Sequence, residues 1–222
     1  MATVTFTGSG ATPRVGKIMC LGQNYPAHAR EMKSEVPVTP VVFLKPPTAL
    51  LSTGSTVILP PFSRELHHEV ELVVMIGRGG KDISRSDAAA HIAGYAVGLD
   101  MTLRDVQAAA KAKGLPWSVA KGFDTSAPVS PFVPAGDIED PHNLMLSLQV
   151  NGSLRQRANT SAMTFRIDRI IEYLSSVFTL EEGDLIFTGT PDGVGRVVPG
   201  DRLHAEAESV GTLDVVIGSP AV

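Results

Sequence analysis

Two glutamates, Glu69 and Glu71, interrupt an otherwise apolar run in ELHHEVELVVMIG, residues 65–77. Side chains on a strand alternate faces, so Glu69, Glu71 and Val73 share one face and Val70, Leu72 and Val74 take the other. Like charges side by side at a half-buried position repel and resist leaving water, so a positive partner is required. A third carboxylate, Asp100, closes the apolar run in AGYAVGLDMTLRD, at a strand end where functional groups are commonly carried. Three carboxylates with no cysteine and no compelling histidine are hard oxygen donors, suited to Mg²⁺, Mn²⁺ or Ca²⁺ rather than zinc. The competing reading puts Glu69 and Glu71 on a solvated strand face and makes Asp100 a helix cap. His67 and His68 adjoin the pair, but imidazoles in such places more often support a strand than ligate a metal.

In GQNYPAHAREM a short helix after Pro26 places His28 and Glu31 at i and i+3, on one face. A carboxylate bonded to one ring nitrogen fixes the tautomer and raises the basicity of the other, which can then take a proton from water. An ordinary surface pair has the same spacing. Two lysines could supply positive charge. FLKPP puts Lys45 at a strand end, and PWSVAKGFD puts Lys121 in a loop or strand before Gly122. Near a metal and an anionic substrate, such a lysine stabilises developing negative charge; the alternative is a solvated lysine whose stem covers apolar surface.

The elements that must hold these groups are mostly strands. KIMCLG, VVFLKP, STVILP, VELVVMIG, AGYAVGLD, LMLSLQV, GDLIFTG, DRLHAEAE and TLDVVIG are short apolar runs bounded by turn residues. LSLQVNGSLRQ carries a hairpin signal, since Asn151-Gly152 suits the positive φ angles of a type I′ turn. Helices are expected over SRSDAAAHIAG, with Ser84 as cap, and over MTLRDVQAAAKAKG, between Thr102 and Gly114. A third is expected over FRIDRIIEYLSSVF, where apolar residues at 167, 170, 171, 174 and 178 form one buried face. Strands outnumber helices without alternating regularly, which favours a β-rich α+β fold over a doubly wound parallel sheet.

Length and charge narrow the function. At 222 residues without a linker-like stretch, the chain reads as a single domain over 15–222, preceded by an extension over 1–14. A net charge of -4 argues against nucleic acid and against a polybasic membrane contact. The first twenty residues lack a signal-peptide core, and no apolar stretch reaches membrane-spanning length, so a cytoplasmic protein is expected. Cys20 reads as a small buried residue. TGTPDGVG lacks the Lys-Ser/Thr of a P-loop, and no dinucleotide-type glycine pattern opens a helix.

Taken together, NYPAHAREM, VVFLKP, HHEVELVVMIG, LDMTLRDVQ, KGLPWSVAKGFD, VNGSLRQ and LEEGDLIFTGTPDGVG resemble the fumarylacetoacetate hydrolase superfamily, most closely its short acylpyruvase and fumarylpyruvate hydrolase members. The resemblance implies a mixed β-sandwich roll of the C-terminal-domain type, a homodimer and a Mg²⁺ cofactor, with Mn²⁺ or Ca²⁺ as alternatives. By position, Glu69, Glu71 and Asp100 match its metal ligands, His28 and Glu31 its water-activating dyad, and Lys121 its catalytic lysine. Lys45, Arg104, Gln107 and Thr190 match positions around the substrate pocket. Gln23 stands where many relatives carry arginine. The implied reaction is hydrolysis of a carbon–carbon bond in an acylpyruvate, a 2,4-dioxo acid, releasing pyruvate. Oxaloacetate decarboxylation or keto-enol isomerisation on the same site is the alternative, and a non-catalytic binder of 2-oxo acids is disfavoured by the dyad and Lys121. The resemblance also places acyl-group selection in MKSEVPVTP and near Trp117, as a mobile cover.

Overall fold

The computed structural model describes residues 2–32 and 34–220, so Lys33 of the cover segment lies outside the described residues. In chain order the elements are β1 (Ile18–Gly22), α1 (Pro26–Glu31), β2 (Val41–Lys45), β3 (Leu50–Ser52), β4 (Thr56–Ile58), β5 (Leu66–His68), β6 (Val70–Ile76) and β7 (Ile92–Leu99). They continue with β8 (Thr102–Leu103), α2 (Arg104–Ala112), α3 (Ser118–Lys121), β9 (Ala127–Val129), β10 (Val133–Pro134), β11 (Met145–Val150) and β12 (Ser153–Asn159). The last are α4 (Ile167–Val177), β13 (Leu185–Phe187), β14 (Gly195–Val197), β15 (Arg202–Ala207) and β16 (Gly211–Gly218).

The main sheet runs β2-β1-β13-β6-β7-β9-β3, with β10 added on β7. It is mixed: β1 pairs with β13 and β3 with β9 in parallel, whereas β6 is antiparallel to both neighbours. Every residue of β6 is buried, which accounts for its unbroken apolar sequence, because both faces of this sheet are covered. Leu72, Val74 and Ile76 enter the larger core, while Val73 and Met75 enter a smaller one with Ile18, Cys20 and Phe187. Val4 and Val15 from the N-terminal residues also pack into the smaller core.

A second sheet, β12-β11-β15-β16-β4, closes the larger core from the other side. Its strands alternate buried and accessible residues along β11, the mark of a sheet covered on one face only. The architecture is thus the β-rich α+β roll expected from sequence. The hairpin joining β11 and β12 turns at Asn151 and Gly152, with φ of 51° and 78°, the two positive values of a type I′ turn. Helix α4 seals one edge of the core through Ile167, Ile170, Ile171 and Leu174, all buried.

Three local expectations are corrected. SRSDAAAHIAG forms only a single 3₁₀ turn over Ala88–His91, because β7 begins at Ile92 and strand pairing with β6 takes over. Thr102 does not cap α2: it belongs to β8, its hydroxyl donates to the Asp100 carbonyl, and Leu103 occupies the cap. Lys121 lies in neither a loop nor a strand but ends the one-turn helix α3. Among the described residues no helix is long and apolar enough to cross a membrane.

Candidate metal centre

Strand register assembles the acidic cluster. β6 and β7 are antiparallel with Val70 opposite Leu99 and Glu71 opposite Gly98. One step outward, Glu69 therefore faces Asp100, and the Asp100 amide donates to the Glu69 carbonyl at 2.8 Å. Glu69 falls in the break between β5 and β6, so its backbone is freer than that of a strand interior. All three acids are buried, and one oxygen from each lies within 4.8 Å of the others. A solvated strand face is thereby ruled out.

Three cations oppose the three carboxylates. Lys121 Nζ donates to Glu69 Oε2 at 2.7 Å and to Asp100 Oδ2 at 2.6 Å. Arg104 donates to Glu69 Oε1 and, at 2.7 Å, to Gln107 Oε1. Lys45 Nζ lies 2.8 Å from Asp100 Oδ1, yet that oxygen has no aligned hydrogen bond. The ammonium instead donates to the Met101, Lys121 and Ser126 carbonyls and to the Ser126 hydroxyl. Lys45 thus stands behind the cluster as a buttress, away from the residues lining the pocket. Neither lysine is a solvated surface group.

Glu71 is treated differently. Among the described residues its one hydrogen bond is from the Gly189 amide, which donates to Oε2 at 2.6 Å. Burial, then the charges of Asp100 and Glu69, push its carboxyl well above the usual range. At Glu69 burial acts in the same direction, but Lys121 and Arg104 overcome it and hold that carboxyl well below the usual range. Lys121 is loosened by burial, yet Asp100 and Glu69 together raise its pKa, so it stays an ammonium. Gly189 is required where it stands: its φ is +97°, and a Cβ there would lie 2.7 Å from the Asn24 Cβ.

These residues fit a hard divalent cation. The donor set is all oxygen, burial and two neighbouring carboxylates push the Glu71 carboxyl upward, and Asp100 Oδ1 is a buried oxygen without a hydrogen bond. The structure accordingly contains a buried Glu/Glu/Asp metal site.

His28 of the dyad lines the pocket to which Glu69 and Lys121 also contribute. Pro26 starts α1 at a position where a missing amide hydrogen costs nothing, and one turn on, His28 Nδ1 lies 3.1 Å from Glu31 Oε2. A carboxylate only accepts, so Nδ1 carries the proton and Nε2 keeps a lone pair. The other Glu31 oxygen accepts from the Gly193 amide at 3.0 Å, which anchors the pair to the loop after β13. His28, Glu69, Arg104, Gln107, Lys121 and Thr190 line one pocket together with Gln23, Met32, Phe43, Lys111 and Trp117. Thus Trp117 and Met32, the first residue of the cover segment, are placed at the pocket.

One residue escaped the sequence reading. Gln156 on β12 accepts from the Val70 amide at 3.0 Å and donates to Thr190 Oγ1 and the Pro191 carbonyl, each at 2.9 Å. Its Oε1 also lies 3.0 Å from His68 Nδ1. His68 is therefore a support, with its pKa lowered chiefly by burial, and lies outside the acidic cluster. No local signal marks Gln156: alternation groups it with Leu154, which is exposed, because a one-residue register shift separates the two.

Residues 17–217 match the family described as fumarylacetoacetate (FAA) hydrolase C-terminal. The chain is 51% identical over 203 residues to the oxaloacetate tautomerase FAHD1, mitochondrial, of Bos taurus, covering 91% of this chain and 92% of the relative. The crystal structure of fumarylpyruvate hydrolase from Pseudomonas aeruginosa in complex with Mn²⁺ and pyruvate superposes with a TM-score of 0.93 at 41% identity, covering 98% and 96% of the two chains. A 5-carboxymethyl-2-hydroxymuconate delta-isomerase from Mycobacterium smegmatis follows at TM-score 0.84 and 37% identity, covering 96% and 87%.

Proposed function

The chain belongs to the fumarylacetoacetate hydrolase family, and on that premise we propose that it interconverts the keto and enol forms of oxaloacetate with Mg²⁺ as cofactor. The observation that carries this reading is a buried acidic triad whose Glu69 lines one pocket with Lys121, the ammonium bridging two of its members, and with His28, a histidine whose free nitrogen is set by Glu31. From sequence alone hydrolysis of an acylpyruvate came first. The tautomerase identity of a relative sharing half its residues with this chain favours the isomerisation alternative.

A divalent cation held by Glu69, Glu71 and Asp100 supplies Lewis-acid stabilisation of the negative charge that grows when a 2-oxo acid enolises. The chain's own groups do the rest. His28 Nε2 removes a proton from C3 of the keto form and returns it to the 2-oxygen, so atoms and charge balance with no water consumed. Glu31 holds the imidazole in the tautomer that can do this and stabilises the imidazolium that results. Lys121, kept protonated by its two carboxylates, serves as a fixed positive charge toward the developing oxyanion rather than as a base. Gln107 and Thr190 are held by Arg104 and Gln156 and orient the substrate's carboxylate. Phe43 and Trp117 exclude water.

The same groups support a second reading, favoured by the fumarylpyruvate hydrolase neighbour: His28 deprotonates a water that attacks the 4-carbonyl of an acylpyruvate, and pyruvate leaves as its enolate. The deciding experiment follows the decay of enol oxaloacetate absorbance with Mg²⁺, and with chelator, alongside pyruvate release from acetylpyruvate. Accelerated enol decay that disappears with chelator and in His28→Ala is expected. No acceleration above the Mg²⁺ blank, with rapid pyruvate release, would replace the first reading by the second.

A further inference from the structure

The pocket contains a third cation that the chemistry above does not use. Lys111 lies on α2 one and two turns beyond Gln107 and Arg104, at i, i+3 and i+7 of one helix face, and all three line the pocket. Arg104 and Lys111 are separated by about 10 Å along the axis.

Its partnering differs from that of its neighbours. Arg104 is tied to Glu69, and Lys121 to Glu69 and Asp100. Among the described residues no carboxylate forms an ion pair with Lys111; its ammonium instead rests 4.8 Å from the centre of the Trp117 ring. That ring leans on Phe43 at a centroid distance of 5.9 Å, so the stack forms one wall of the pocket. Gln23, in the same pocket, brings no charge. The pocket thus holds, beside its Phe43–Trp117 wall, one positive charge with no carboxylate partner.

Building on the oxo-acid reading, we propose that Lys111 is a specificity-determining residue that receives the distal carboxylate of a dicarboxylic 2-oxo acid. The ring beneath the ammonium holds it in place without neutralising it, so the charge is available to an incoming anion. A substrate whose far end is a methyl or alkyl group finds the same apolar wall but leaves this charge unanswered. Preference between dicarboxylic and monocarboxylic 2-oxo acids therefore resides in one side chain, separate from the groups that move the proton.

The test compares oxaloacetate with 2-oxobutyrate, which carries a methyl in place of the distal carboxylate. Trp117 is the only tryptophan in the chain, so its emission in the Mg²⁺-loaded protein reports binding, read in stopped flow before turnover. Wild type is expected to favour oxaloacetate by about five- to tenfold, the range of a partly exposed charge-assisted contact. Lys111→Met keeps the apolar stem and should bring that ratio to near one without changing 2-oxobutyrate affinity, while Lys111→Arg restores it. A wild type without the preference, or a preference that survives in Lys111→Met, overturns the assignment of Lys111 and leaves the oxo-acid reading standing. Failure of both acids to bind the loaded wild type overturns the two together.

Discussion

Lys121→Met removes the ammonium that joins Glu69 to Asp100 and leaves a side chain of similar length. The lysine is 3% exposed and makes contacts of 2.6 and 2.7 Å with two carboxylates that are themselves buried. Deleting one partner of a buried ion pair costs about 3–5 kcal/mol, because the remaining charge has no compensation. For a domain of this size that is a fall in Tm of about 6–20 °C in chelator. Mg²⁺ replaces the missing positive charge, so the variant should recover much of the loss when metal is added. By linkage, whatever stability the metal restores beyond its effect on wild type appears as tighter binding; 2 kcal/mol corresponds to about 30-fold in Kd. Urea unfolding of both proteins, in chelator and across a Mg²⁺ series, measures each side of this cycle. A loss below about 1 kcal/mol in chelator, within the range of an exposed pair, or a loss that Mg²⁺ does not reduce, would refute the account of Lys121 as the cluster's internal counter-charge.

Three further outcomes follow from the same geometry. In the metal-free protein the raised Glu71 carboxyl holds a proton that the unfolded chain releases near pH 4.5, so its contribution to stability is complete below that pH and declines as pH rises through the folded value. Mg²⁺ binding must displace that proton, and calorimetry in two buffers of different ionisation heat should show proton release on binding, with affinity rising with pH; zero release would contradict it. Glu31→Gln keeps an acceptor for His28 Nδ1–H but removes the negative charge that stabilises the imidazolium, and should lower kcat by about 10- to 100-fold with little change in KM, measured by steady-state kinetics. Gly189→Ala combines a positive φ with a clash against Asn24 and should cost about 1–3 kcal/mol in chemical unfolding while weakening metal binding through Glu71.

The triad was legible because strand parity and an end-of-strand aspartate are local facts: Glu69 and Glu71 lie two residues apart, and Asp100 follows directly on β7. The dyad was legible for the same reason, being three residues apart on one turn of α1. Helix α4 and the Asn-Gly hairpin also carry their patterns within a dozen residues. The lysines were not legible from local pattern. A buried lysine and a solvated one look alike in sequence, and the groups that decide between them are brought to Lys45 by the fold from 55 to 81 positions away. Gln156 was hidden likewise, since its four partners come from β5, β6 and the loop after β13. SRSDAAAHIAG misled because its alanines favour helix, whereas the pairing of β7 with β6, set by residues 16 to 29 positions earlier, ends the turn at His91.

The Gln156 side chain also ties the outer sheet to the chemistry. β12 reaches it through a one-residue register shift, in which Leu154 pairs with Gln149 and Gln156 with Leu148, so the strand already carries an extra residue between its turn and the pocket. Leu148 is buried and the residue opposite it faces the same way, so what must be kept is the pairing of position 156 with Leu148 and not the residue count before it. A side chain at 156 unable both to accept and to donate would take away the tether of Thr190 although no residue near the substrate had changed.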